Sequence, residues 1–170
     1  MRVIVAKNVG FCTGVKRAVE IAKKSLEKDP KPVYFLGEVV HNEKITNEIK
    51  EKGGRFISNP RKAKSGTLVI RAHGTPPLPT LKRVFIEDAT CPLVKRAQGV
   101  AQDLFKKGYK IIIVGEKKHP EIIGIQGCIK NRGGVIKNIW EARRLKNFPK
   151  SKSKSKLGVM AQTTQNLEKV

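Results

Sequence analysis

Acidic residues are scarce in this sequence. Fourteen Asp and Glu stand against 36 Lys and Arg, a formal net charge of +22 over 170 residues. Most basic side chains therefore have no carboxylate to pair with, and the field they create draws polyanions. Aromatic residues make up 5% of the chain. That leaves few platforms for stacking bases and rests the core on Val, Ile, Leu and Ala. No apolar run approaches the ~18 residues of a membrane span. Cysteine is sparse and odd in number, at positions 12, 91 and 128, which excludes a fully paired disulfide framework and favours metal ligands, catalytic groups or buried small hydrophobes. The N-terminus, Met1–Ala6, lacks the long apolar stretch of a secretory signal and reads as a strand over Arg2–Ala6. A cytoplasmic location is the default expectation.

What is present alternates short β-rich runs with amphipathic stretches. Val15, Ala18, Val19, Ala22 and Leu26 recur at helical spacing and predict a helix over Gly14–Lys28, ended by Asp29-Pro30 and Lys31-Pro32. Further helices are expected over Asn42–Lys52, from Pro92 to about Lys107, from near Pro120, and over Ile139–Leu145. Strands are expected at Val33–Leu36, Arg55–Ile57, Thr67–Arg71, Val84–Ile86, Ile111–Val114, Gly134–Ile136 and Leu157–Ala161. Strands alternating with helices imply parallel βαβ units. The alternating Lys and Ser of residues 150–156 read as a solvated connector. The expected architecture is α/β, in two small parallel-sheet lobes: residues 1–90 carrying Cys12 and residues 91–170 carrying Cys91. Thr163 or Thr164 is placed to cap a helix that Gln165–Val170 would begin, so the chain reads as the front part of something longer.

In open α/β sheets, ligands bind beyond the carboxyl ends of strands. Cys12, His41, His73, Cys91, His119 and Gln162-Thr163-Thr164 each follow a predicted strand. Every histidine and two of three cysteines thus fall on such edges. Cys12 lies between Gly10 and Gly14, which allow close backbone approach. Cys91 precedes Pro92 at a helix start, where the dipole favours a thiolate. Cys128 lacks such a setting and is assigned as a buried hydrophobe. Three histidines at strand ends point to a shared anion site, since imidazole N–H groups and helix N-termini suit phosphate oxygens.

Six strings read in order carry a resemblance. They are Gly10-Phe11-Cys12-Thr13-Gly14-Val15-Lys16-Arg17-Ala18, Gly37-Glu38-Val39-Val40-His41-Asn42, Arg71-Ala72-His73-Gly74, Asp88-Ala89-Thr90-Cys91-Pro92-Leu93-Val94, His119-Pro120-Glu121-Ile122-Ile123-Gly124 and Gln162-Thr163-Thr164. Together they resemble the LytB-type iron–sulfur reductases that act on hydroxymethylbutenyl diphosphate in the non-mevalonate isoprenoid pathway. The resemblance implies a three-lobed fold, of which this chain covers the first two lobes and lacks the third. It implies a [4Fe-4S] cluster held by one cysteine from each lobe, here Cys12 and Cys91. It further implies that His41, His73 and His119 contact the substrate diphosphate, that Glu121 delivers protons, and that Thr163 orients the substrate hydroxyl and the proton path. The implied reaction removes an allylic hydroxyl as water, using two electrons and two protons, with isopentenyl and dimethylallyl diphosphates as products. An external donor such as ferredoxin or flavodoxin supplies the electrons.

The chain departs from that pattern in three ways. The third lobe, its cysteine and its share of the diphosphate pocket are missing, so independent activity is not expected. Cys128 falls outside the cysteine motifs. The connection from His73 to Cys91 is shorter than the family's by roughly one helical turn. Its charge is also higher than the family's pattern leads one to expect. Two other readings compete: a nucleic-acid-binding module driven by the +22 charge, disfavoured by the few aromatics, and a zinc protein using Cys12, Cys91 and a histidine.

Overall fold

The computed structural model describes residues 2–4, 9–145 and 156–165. Two parallel sheets organise it. The first has the order β2-β1-β3-β4, from β1 (Val33–Leu36), β2 (Arg55–Ile57), β3 (Gly66–Ile70) and β4 (Val84–Asp88). The second has the order β6-β5-β7, from β5 (Lys110–Val114), β6 (Gly134–Ile136) and β7 (Leu157–Ala161). Every strand pairing is parallel. The carboxyl ends of each sheet's strands therefore lie along one edge, where the motifs sit.

Residue alternation explains how the first sheet is covered. Val33, Phe35 and Val69 face α1 (Thr13–Lys28), which buries Ala18, Val19, Ala22 and Leu26 against them, and Ile49 of α2 (Glu43–Glu51) joins the same cluster. On the opposite face Leu36 and Leu68 pack with Ala63, Leu78 and Leu81. That second cover is loop rather than helix. Residues 71–83 cross from β3 to the parallel β4 with no helix at all, whereas such crossovers usually contain one.

The second sheet buries one face. Ile111, Ile113 and Val135 meet Ala101 and Leu104 of α3 (Pro92–Lys106) and Ile122, Ile125 and Ile129 on and just beyond α4 (Pro120–Cys128). Ile122, Ile125 and Ile129 are each fully buried, and such a side chain contributes about 1.5–3 kcal/mol. Helix α4 carries apolar residues on most sides, as a helix enclosed by neighbours must. A short α5 (Ile139–Arg143), capped by Asn138, follows β6.

The strand expected over Arg2–Ala6 is not seen at residues 2–4. Val3 and Ile4 are exposed and belong to neither sheet, and Val5 and Ala6 lie outside the described residues. Strand β4 runs to Asp88, two residues further than its apolar run suggested, because Glu87 and Asp88 continue to pair with Val69 and Ile70. Strand β3 spans Gly66–Ile70, so Arg71 already stands beyond it. The Lys/Ser connector at residues 150–155 and the helix expected to begin in 165–170 fall outside the described residues, apart from Gln165.

Candidate active site

Backbone hydrogen bonds extend the first sheet past its strands and carry the site loops in register. Ala72 N–H donates to Val39 O at 3.0 Å, and Cys91 N–H donates to Ala72 O at 2.9 Å. The segments bearing His41, His73 and Cys91 are thus laced side by side. The loop before Cys91 is tied from both helices: Arg17 of α1 donates to Thr90 O and Asp88 O, and Lys95 of α3 pairs with Asp88 at 2.7 Å. Burial raises the Asp88 carboxyl, but Lys95 and the side chain and N–H of Thr90 outweigh it and hold the group below its ordinary range.

The three histidines meet. The His41 and His73 rings lie 4.9 Å apart between centroids, and His73 and His119 lie 5.2 Å apart at nearly a right angle. His41 is exposed and sits 3.5 Å from the Glu38 carboxylate. His119 caps α4: its Nδ1 accepts from Glu121 N–H at 3.2 Å. A lone pair on Nδ1 places the proton on Nε2, leaving that N–H free to donate. His73 stands between the other two, and its buried Nδ1 has no partner. Burial first, then the charges of His41, His119 and Arg71, push its pKa down to about 4. His73 is therefore neutral at pH 7. Burial also lowers the Arg71 guanidinium.

Glu121, two residues past His119, is fully buried. Both its oxygens are engaged by one residue: Thr163 N–H donates to Oε1 at 2.8 Å and the Thr163 hydroxyl donates to Oε2 at 2.7 Å. Thr163 is itself exposed, so this pair links a buried carboxyl to the surface of the site. Gln162 holds the turn beneath. Its Oε1 accepts from Glu116 N–H at 3.1 Å and its Nε2 donates to the Thr164 hydroxyl at 2.7 Å.

Cys12 and Cys91 are the N-caps of α1 and α3, and neither side chain makes a capping hydrogen bond. Cys12 is exposed, Cys91 partly so, and both are free thiols. Cys91 follows β4, but no described strand precedes Cys12, so its placement at a strand end is corrected to a helix N-terminus. Gly14 brings α1 against Cys91: a β-carbon there would lie 2.6 Å from Cys91 Sγ. The two thiols suit an iron–sulfur cluster in kind, though they are two donors where a three-point attachment needs three. Among the described residues no group of three or more His, Cys, Asp or Glu is set to hold a metal ion, which leaves the zinc reading without a ligand set. Cys128 is half-buried rather than enclosed and is hydrogen-bonded to Gln102; burial pushes its thiol up.

Comparison with known proteins bears on this arrangement. A family model described as LytB protein matches residues 3–170. The chain belongs to the LytB family. Among curated LytB relatives, a 4-hydroxy-3-methylbut-2-enyl diphosphate reductase from Alkaliphilus oremlandii is 37% identical over 96% of this chain and 58% of its own length. The namesake from Dictyoglomus thermophilum is 39% identical over 99% of this chain and 58% of its length. A solved structure of (E)-4-hydroxy-3-methyl-but-2-enyl diphosphate reductase, described as the terminal enzyme of the non-mevalonate pathway, superposes with a TM-score of 0.77 at 36% identity. It covers 98% of this chain and 59% of the solved one. The reductase from Plasmodium falciparum superposes with a TM-score of 0.86 at 31% identity, covering 96% and 52%. This chain therefore spans somewhat more than half the length of the LytB proteins it matches. No helix among the described residues is long and apolar enough to cross a membrane.

Arg71 and Gln98 were not given roles from the sequence. Arg71 closes an apolar strand with a charge, a signal that it is held by something specific. Gln98 lies seven residues after Cys91, hence on nearly the same face of α3.

Proposed function

We propose that this chain carries most of the site at which the whole protein reductively dehydroxylates 4-hydroxy-3-methylbut-2-enyl diphosphate to isopentenyl and dimethylallyl diphosphates. The observation that carries this reading is the contact of His41, His73 and His119 beside the Glu121–Thr163 pair, in a chain of the LytB family. The boundary between the two lobes is placed near residue 90, with Cys12 on one side and Cys91 on the other.

The histidines bind the diphosphate. Imidazole N–H groups donate to phosphate oxygens. His119 offers Nε2–H because its Nδ1 is committed to the cap of α4. Thr163 orients the substrate hydroxyl and relays a proton from Glu121 Oε2, to which its own hydroxyl is bonded. Cys12 and Cys91 would supply two of the thiolates that hold a [4Fe-4S] cluster, with a third thiolate supplied from outside these residues. When bound, that cluster supplies two electrons, received from a ferredoxin- or flavodoxin-type donor. The balance is one C–O bond broken, one C–H bond formed, two protons and two electrons consumed, and water released. The cytoplasm, where thiols stay reduced, is the compartment this chemistry needs.

The test is anaerobic reconstitution with iron, sulfide and a strong reductant, following loss of the allylic alcohol. The full-length protein should turn over, and Glu121→Gln should abolish turnover while pyrophosphate still binds. The 170-residue chain alone should bind pyrophosphate and not turn over, because positioning errors near 1 Å cost about a hundredfold. Full activity of Glu121→Gln, or no response of any histidine resonance to pyrophosphate, would sink the reading.

A further inference from the structure

The two lobes meet along a seam of residues that lack β-carbons. Gly74, directly after His73, belongs to the crossover of the first lobe and adopts φ +73°. Gly124 lies on α4 of the second lobe, three residues after Glu121. Between them stands the side-chain amide of Gln98, from α3. A β-carbon on Gly74 would come within 2.8 Å of Gln98 Nε2, and one on Gly124 within 2.7 Å of the same atom. Both distances are shorter than any real packing contact, so neither glycine can be replaced unless the amide moves. The Nε2 also points at Thr75 O, at a long 3.5 Å. One turn further along α4, Gly127 does the same for Pro76, whose Cβ would lie 2.5 Å from an added β-carbon. The segment Gly74-Thr75-Pro76 is thus seated on α4, with the Gln98 amide packed between Gly74 and Gly124.

This seam has a consequence for the site. His41 and His73 stand on laced loops of the same sheet, so their contact is internal to the first lobe. His73 and His119 come from different lobes, and nothing in either sheet sets their spacing. The residues immediately beside them do: Gly74 follows His73, and Gly124 is one helical turn from Glu121 and His119.

We propose that Gln98 is a positioning residue which, wedged between Gly74 and Gly124, sets the register of the two lobes and so holds His73 against His119. The inference rests on the proposed function only for what the site binds. Its geometric content stands separately.

The experiment uses the 170-residue chain and NMR of its histidine rings. Gln98→Met keeps length and volume but removes the amide. It should abolish the inter-ring contact signal between His73 and His119 and leave that between His41 and His73 in place. Affinity for inorganic pyrophosphate should fall about tenfold or more, as losing one hydrogen bond to a charged group implies. Gln98→His carries an N–H at about the same distance from its Cα and should retain both ring contacts and the affinity. Unchanged His73–His119 contact in Gln98→Met would overturn the proposal. So would loss of both ring contacts together, or outright unfolding, since either would make Gln98 a residue of the common core rather than of the seam. If the wild-type chain fails to bind pyrophosphate, the reductase reading fails while the ring contacts still decide the role of Gln98.

Discussion

Each lobe buries one ionisable group at the site, and the two are finished differently. In the second lobe Glu121 is enclosed and both its oxygens are bonded to Thr163. In the first lobe His73 is half-buried, and its buried Nδ1 is bonded to nothing in the chain. Buried polar atoms are nearly always paired, so an exception calls for a reason. The difference separates two kinds of residue at the site. Glu121 has both oxygens bonded within the protein. His73 keeps a buried nitrogen that no group of the chain meets.

The largest expected effect breaks the finished pair. Thr163→Val keeps the shape and leaves Glu121 Oε2 without a donor, at a cost of about 1.5–3 kcal/mol. Glu121→Gln should cost less than about 1 kcal/mol, since its amide can accept from Thr163 N–H and donate to the hydroxyl. Urea denaturation of the two variants side by side measures this. Equal stability of Thr163→Val and wild type would erase the contrast between the lobes.

On the other side of the comparison, His73→Phe should change stability at pH 7 by less than about 1 kcal/mol, because it removes a polar atom already unpaired. Its effect appears in the pH dependence. The folded chain holds His73 down to about 4, whereas an unfolded histidine titrates near 6.5. Between those values the unfolded state binds more protons, so stability rises with pH across that window and is lost as pH falls toward 4. His73→Phe should flatten that slope. Pyrophosphate should move the His73 midpoint upward, because an anion beside the ring favours its charged form. A wild-type midpoint already near 6.5 would remove the distinction drawn for His73.

The most local effect concerns His119, which belongs to both kinds. Its Nδ1 caps α4 and its Nε2 is free. His119→Ala should cost about 1 kcal/mol as a lost cap, and His119→Asn should recover that stability. Neither should recover pyrophosphate binding. Asn restoring both would show that the ring serves only the helix.

Much of this frame was legible in the residues. Val33–Leu36, Arg55–Ile57, Gly134–Ile136 and Leu157–Ala161 were readable end to end because Pro, Gly, polar or charged residues bound them. The strand expected over Arg2–Ala6 is absent at residues 2–4, where β-propensity alone supplied no pairing partner. The motifs identified His41, His73 and His119 as neighbours on one edge, since a parallel topology collects strand ends. The bond between Thr163 and Glu121 was not legible, for it spans 42 positions and depends on β7 lying beside β5. Nor was the orphaned nitrogen of His73, because burial of one atom follows from packing and not from pattern.

The helix-free crossover of residues 71–83 bears on cooperativity. One face of this segment, through Leu78 and Leu81, covers the first sheet, while Thr75 and Pro76 rest on α4 of the second lobe. Neither lobe can shed the segment without exposing apolar surface of its own. Two small sheets that might have melted separately are thereby made to share one fate, and a calorimetric scan should show a single transition whose van't Hoff and total enthalpies agree. Cleavage of the backbone at Thr80 should then lower the melting temperature of both halves at once.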